Sequence, residues 1–209
     1  FVAGYLGWKR RLSGPAIAVP AALFVVPAIA INVYPFDAGG STMVIAALHT
    51  PVIAWGAVGL VYVGGRWRSQ DRRMDFVRFS GELAIYFTLL ALGGGVLLGL
   101  LATVFGLAEV PSGVIESVMA DWLLPLAVPG ALVVAGWLVE AKQNVVENIA
   151  PVLTKVFTPL TLMMLVACLV ALIRAGSLVE AGRPLLLVMD AILLLVLCLL
   201  LYSISARDP

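Results

Sequence analysis

Pro184–Tyr202, PLLLVMDAILLLVLCLLLY, is a nineteen-residue run made almost entirely of aliphatic side chains, with one carboxylic acid, Asp190, inside it. About 20 apolar residues in a helix, rising roughly 1.5 Å each, cover the roughly 30 Å hydrocarbon core of a bilayer, so the run reads as a membrane-spanning helix. A charge at that depth is costly. Intramembrane acids therefore face other helices or a cavity, where they mark a functional or an assembly site.

The rest of the chain has the same character. Of its 209 residues 62% are hydrophobic and 12% charged, and the mean hydropathy is +1.09, whereas soluble domains carry about 25% charged residues. Six apolar segments follow one another at 15–35, 43–64, 79–106, 119–140, 151–173 and 184–203. The expected fold is therefore all-α: one polytopic domain over 1–209 with six transmembrane helices. The chain begins with Phe1 rather than Met, and the expectation is a piece of something longer. No cleavable leader is read at the start, because the apolar run after Lys9, Arg10 and Arg11 continues to about Tyr34, longer than a signal h-region.

Orientation follows from the loops, since cytoplasmic loops carry the excess of Lys and Arg. Lys9, Arg10, Arg11, Arg66, Arg68, Arg72, Arg73, Arg78, Lys142, Lys155 and Arg207 fall on one side, and only Arg174 and Arg183 on the other. Eleven against two places both termini in the cytoplasm. Asp37, Glu109, Glu116, Asp121 and Glu180 fall on the outer side.

Within this frame the loops suggest smaller elements. Arg66–Arg78, RWRSQDRRMDFVR, reads either as a short helix lying on the membrane surface or as a solvated loop serving as a topology signal. The outer stretch Glu109–Asp121 suggests a short interfacial helix starting near Ser112. Pro20, Pro27, Pro51, Pro125, Pro129 and Pro159 fall inside apolar segments, where each frees a backbone carbonyl and tends to kink the helix. Ala91, Gly95 and Gly99 recur every four residues in the third segment, a flat stripe suited to close helix packing, within the bundle or between copies.

Four polar residues inside or beside the membrane form the candidate site. His49 lies six residues into the second segment and Asp190 six residues into the sixth, and both segments start on the outer side. Both side chains are thus expected about 9 Å below the outer interface. Asn32, near the outer end of the first segment, stands at a depth where it can join them. Arg183 precedes Asp190 by seven residues and so shares its helical face. A carboxylate beside an imidazole suits proton or cation coupling. The same residues also suit a polar contact that fixes helix packing.

Several chemistries are set aside. A single histidine excludes bis-histidine haem ligation and multi-histidine metal sites within this chain, although one axial ligand from His49 stays open. There is no nucleophile elbow, no P-loop and no basic patch interleaved with aromatics for nucleic acid. Cys168 and Cys198 lie in apolar runs and behave as small hydrophobes. No catalytic residue, metal ligand or cofactor is assigned. The expected partners are the lipid bilayer and either other protein subunits or further copies of the chain.

Val156-Phe157-Thr158-Pro159-Leu160, then Arg183, Leu185-Leu186 and Asp190, then Leu201-Tyr202-Ser203-Ile204-Ser205-Ala206-Arg207 together resemble the C-terminal membrane part of an uncharacterised family of bacterial multi-pass proteins, catalogued as a domain of unknown function. The resemblance covers about the last third of the chain. It implies a bacterial inner-membrane protein and carries over no site residues. The function expected from all of this is a transporter-like or permease-like module with a polar site in the outer half of the membrane. The alternative is a non-transporting structural or accessory subunit that anchors or assembles a membrane complex. A transporter requires a polar cavity reaching Asp190, whereas an assembly subunit buries Asp190 dry against a partner.

Overall fold

The structure, a computed structural model, describes residues 1–37, 39–141, 149–175 and 182–205. Lys142, Glu180 and Arg207, used above to set the orientation, lie outside them, as does the side chain of Lys155. Among the described residues every regular element is helical: α1 (Val2–Lys9), α2 (Gly14–Val33), α3 (Ser41–Tyr62), α4 (Gln70–Leu107), α5 (Ser112–Ser117), a π-helical segment (Val118–Leu123), α6 (Leu124–Ala141), α7 (Ile149–Ala175) and α8 (Gly182–Ser205). Six stretches are long and apolar enough to cross a membrane: Ala16–Val33, Ser41–Tyr62, Gln70–Leu107, Ser112–Glu140, Val156–Arg174 and Arg183–Ile204. They coincide with the six expected segments. This is an all-α, multi-pass membrane architecture.

Two compact units make up the chain, Phe1–Glu82 and Leu83–Pro209. In the first, α1 and α2 both pack on α3. The short α1 is absent from the hydropathy pattern, because only Val2 and Leu6 of its eight residues turn inward to be buried. Its partner surface is the cytoplasm-assigned end of α3, where Ala57, Val58 and Val61 are buried.

An aromatic cluster joins α3 to the first turns of α4. Trp55 and Phe79 stack with ring centroids 6.4 Å apart, and Tyr62 meets Phe79 at 4.7 Å and Phe76 at 5.6 Å. Trp55 Nε1 donates to Ser80 Oγ at 3.2 Å, and that hydroxyl donates to Phe76 O at 2.9 Å. Close approach depends on Gly59, because a Cβ there would meet the Phe76 ring at 2.8 Å.

These contacts explain why the basic stretch before the third span is not a separate surface helix: residues 66–69 form a turn, and the rest belongs to the spanning helix. From Gln70 onward it is the start of α4, which runs 38 residues without a break. No proline or glycine interrupts Gln70–Ser80, and Arg78 Nε lies 3.0 Å from Glu82 Oε1, an i,i+4 ion pair on the helix surface. At about 57 Å the helix exceeds the hydrocarbon core almost twofold, so its charged first turns carry the span out into the headgroup region.

In the second unit the core gathers Leu97 and Val104 of α4, Met164 and Cys168 of α7 and Ile192 of α8. The expected helix from Ser112 is present, but it continues through the π-helical segment into α6 rather than ending at the interface. Pro125 supplies the reason: it has no N–H to return to Asp121 O, and the ladder just before it widens, with Leu124 N–H bonded to Met119 O five residues back. Asp121 and Trp122 are exposed in that segment.

The close packing of α4 on α7 falls on Gly93, beside the expected small-residue stripe. A Cβ on Gly93 would lie 2.3 Å from the Phe157 ring, whereas one on Gly95 or Gly99 would meet nothing within 4 Å. Ala91 is likewise exposed. Gly93→Ala is therefore expected to cost about 1–3 kcal/mol through overpacking, and Gly95→Ala to cost nothing measurable. Denaturation of the purified full chain in detergent, followed by helical circular dichroism, checks the contrast.

Candidate intramembrane site

The α8 helix has two sharply different sides. Leu185 and Ile192 are buried, and Val188, Met189 and Leu195 pack against the core of the second unit. Most of the remaining surface is exposed: Leu186, Leu193 and Leu200 are, and so is the line of seven made by Arg183, Leu187, Asp190, Leu194, Leu197, Leu201 and Ile204. Those seven positions alternate in steps of four and three, the repeat that keeps one seam of a helix aligned with a neighbouring helix. Asp190 is their only acid. It lies about 10 Å along the axis from Arg183, the first charged residue of the span, which puts it well inside the apolar stretch.

Four polar residues on the spans satisfy themselves locally, whereas Asp190 and the buried Thr161 Oγ1 of α7 do not. His49 Nδ1 lies 2.8 Å from Ile45 O, Asn32 Nδ2 donates to Ala28 O at 2.8 Å, Thr50 Oγ1 to Ala46 O at 2.7 Å and Thr103 Oγ1 to Gly99 O at 2.8 Å. Each satisfies itself on the carbonyl one turn back. Among the described residues Asp190 makes no hydrogen bond or ion pair.

The other candidate residues fall as follows. His49 is exposed on α3 in the first unit, with Nδ1 2.8 Å from Ile45 O. Asn32 is exposed near the end of α2, its amide spent on its own helix. Arg183 is exposed at the start of α8, on the Asp190 seam. Within its own unit, Asp190 is joined only by Arg183 from this set.

The second unit also contains a cavity of about 560 Å³ between α4, α6 and α7, lined among others by Ala91, Gly94, Gly95, Ala127, Gly130 and Ala131. The small residues of the expected stripe thus border open space, not a packed helix. Every lining side chain is apolar, so the cavity suits hydrocarbon and offers nothing to an ion or a polar solute. Asp190 is not part of it. Among the described residues no three His, Cys, Asp or Glu side chains cluster as a metal would need.

The seam on α8 escapes sequence reading for a simple reason: a leucine-rich helix contains a stripe at this spacing on every side. Burial of Leu185 and Ile192 removes one side of the helix, and Asp190 marks a line among those that stay exposed.

Comparison with protein-family models, with curated proteins and with solved structures yields no match to this chain.

Replacing Asp190 by Leu should lower the apparent free energy of membrane insertion of the α8 segment by roughly 3 kcal/mol, the difference between an acid and a leucine near a helix centre. A glycosylation-based insertion assay comparing the two segments measures this directly.

Proposed function

We propose that this chain is a multi-pass membrane subunit that assembles with a neighbouring transmembrane helix through the open side of α8. The observation that carries the reading is Asp190, an acid with no partner among the described residues, exposed in the middle of a leucine seam. Lipid chains match the leucines but offer nothing to a carboxyl group. A helix with a hydrogen-bond donor or a cation at the same depth matches both, because polar contacts between helices are favoured where water is absent. The membrane in question, on this reading, is a bacterial inner membrane, with both termini in the cytoplasm as the loop charges suggest. No catalytic role is part of the proposal.

A second reading, a proton- or cation-coupled permease using Asp190 and His49, draws support from the exposed imidazole of His49 with one ring nitrogen occupied by Ile45 O. It requires a polar route to Asp190. The cavity described above has only apolar side chains in its lining and lies between α4, α6 and α7, so the assembly reading is the better supported.

A photo-crosslinking amino acid at Leu194, on the seam one turn beyond Asp190, distinguishes the two in intact membranes. Assembly is expected to give a discrete protein adduct, a second copy or another subunit, whose yield falls at least fivefold when Asp190→Leu is added. Adducts to lipid alone, or a protein adduct indifferent to Asp190, overturn the reading. Proton flux in proteoliposomes that is lost in Asp190→Asn would establish the permease instead.

A further inference from the structure

The first unit carries a second feature, independent of the α8 reading, in the way it folds two basic stretches onto each other. Lys9, Arg10 and Arg11 lie more than fifty residues before Arg66, Arg68, Arg72, Arg73 and Arg78. The packing of α1 on α3 brings them to one end of the unit. Leu12 and Ala16 lie against Gly64 and Gly65, two turn glycines with φ of 63° and 78° that close α3. Arg10 is half-buried, with its guanidinium 4.0 Å from the centre of the Tyr62 ring, and Lys9 sits over Tyr5. The Tyr62 ring attracts the guanidinium through its quadrupole and fixes Arg10 at this end of the unit.

The result is a collar of eight cations against three acids, Asp71, Asp75 and Glu82, with Glu82 already paired to Arg78. Three helix ends converge here: the start of α2, the end of α3 and the start of α4. The collar therefore stands where the apolar spans give way to charged residues, at headgroup depth. Two large aromatics mark the same level, Trp8 at 78% and Trp67 at 65% exposure, and tryptophan is the residue that favours the membrane–water interface. Arg66 and Arg68 flank Trp67 in the chain and are exposed, as is Arg73 on the first turn of α4.

We infer that this collar is a binding surface for the phosphate headgroups of anionic phospholipids in the surrounding membrane. Clustered Lys and Arg immediately beyond a span attract anionic lipid, and arginine binds phosphate oxygens through two parallel N–H groups. The chemistry recognised is a phosphodiester with net negative charge, presented at the surface by a lipid whose acyl chains run alongside the apolar helices.

The test uses the purified full chain in detergent, with dioleoyl phosphatidylglycerol and dioleoyl phosphatidylcholine as probes and native mass spectrometry counting bound lipid. The native chain is expected to retain phosphatidylglycerol at least fivefold over phosphatidylcholine. Arg66→Gln/Arg68→Gln/Arg73→Gln should bring the ratio to within twofold while helical circular dichroism stays unchanged. Arg174→Gln, in the second unit, should leave the ratio as it is. Equal retention of the two lipids by the native chain overturns the inference, as does a triple variant that keeps its preference. Displacement of phosphatidylglycerol by equimolar glycerol 3-phosphate also overturns it, since the surface would then read a soluble phosphate rather than a membrane lipid.

Discussion

Inside a bilayer, polar groups must find their hydrogen bonds within the protein, because lipid supplies none. That constraint orders this structure at two levels. For the backbone it leaves helices as the solution, and among the described residues all six spans are helical. For side chains it sorts residues by whether they find that bond on their own helix. Asn32, His49, Thr50 and Thr103 each turn back to a carbonyl of their own helix. Asp190 makes no such local bond among the described residues, and neither does the buried Thr161 Oγ1.

The same constraint bears on the prolines. Each removes one N–H and frees one carbonyl within a span, and the spans absorb them without breaking: Pro20 and Pro27 lie inside α2, Pro51 inside α3, Pro129 inside α6 and Pro159 inside α7. Where two prolines fall close together, at Pro125 and Pro129, the helix adjusts upstream by widening into a π-helical turn. The adjustment lengthens the fourth span toward Ser112 and makes one continuous helical path of what the sequence divides into an interfacial helix and a membrane helix.

Hydropathy made the six spans legible, and it did so because their apolar runs are long enough to leave no competing reading. Elements defined by contacts rather than by composition stayed hidden. The α1 helix hides because two buried residues, Val2 and Leu6, give no periodic signal. Gln70–Arg78 hides because its charges resemble a loop, while the aromatics that tie it to α3, Phe76 and Phe79, meet Trp55 and Tyr62 only in three dimensions. Gly93 hides among its neighbours Gly94 and Gly95, since spacing alone cannot tell which of three glycines faces Phe157. Of the candidate site, the sequence yields the residues and their depth. It does not yield the side of α8 on which Asp190 stands, which depends on where Leu185 and Ile192 are buried.

That side matters because, among the exposed surfaces of the second unit, an apolar cavity and an equally aliphatic line on α8 differ in that the line carries an acid. The cavity between α4, α6 and α7 has only apolar side chains in its lining, with glycine and alanine giving it depth. Hydrocarbon chains of the bilayer satisfy such a surface fully, so its existence demands no protein partner. The α8 seam is nearly as apolar, and Leu187, Leu194, Leu197 and Leu201 would be at home in lipid. Asp190 alone changes the balance, since exposure of an acid to hydrocarbon costs about 3 kcal/mol or more, a penalty that lipid contact with the leucines around it does nothing to reduce. A neighbouring helix with a donor at that depth removes the penalty and loses nothing at the leucines, which pack against another helix as readily as against lipid. The two surfaces therefore differ by a single side chain: lipid alone satisfies the cavity, whereas at Asp190 it leaves the cost of an exposed acid in place.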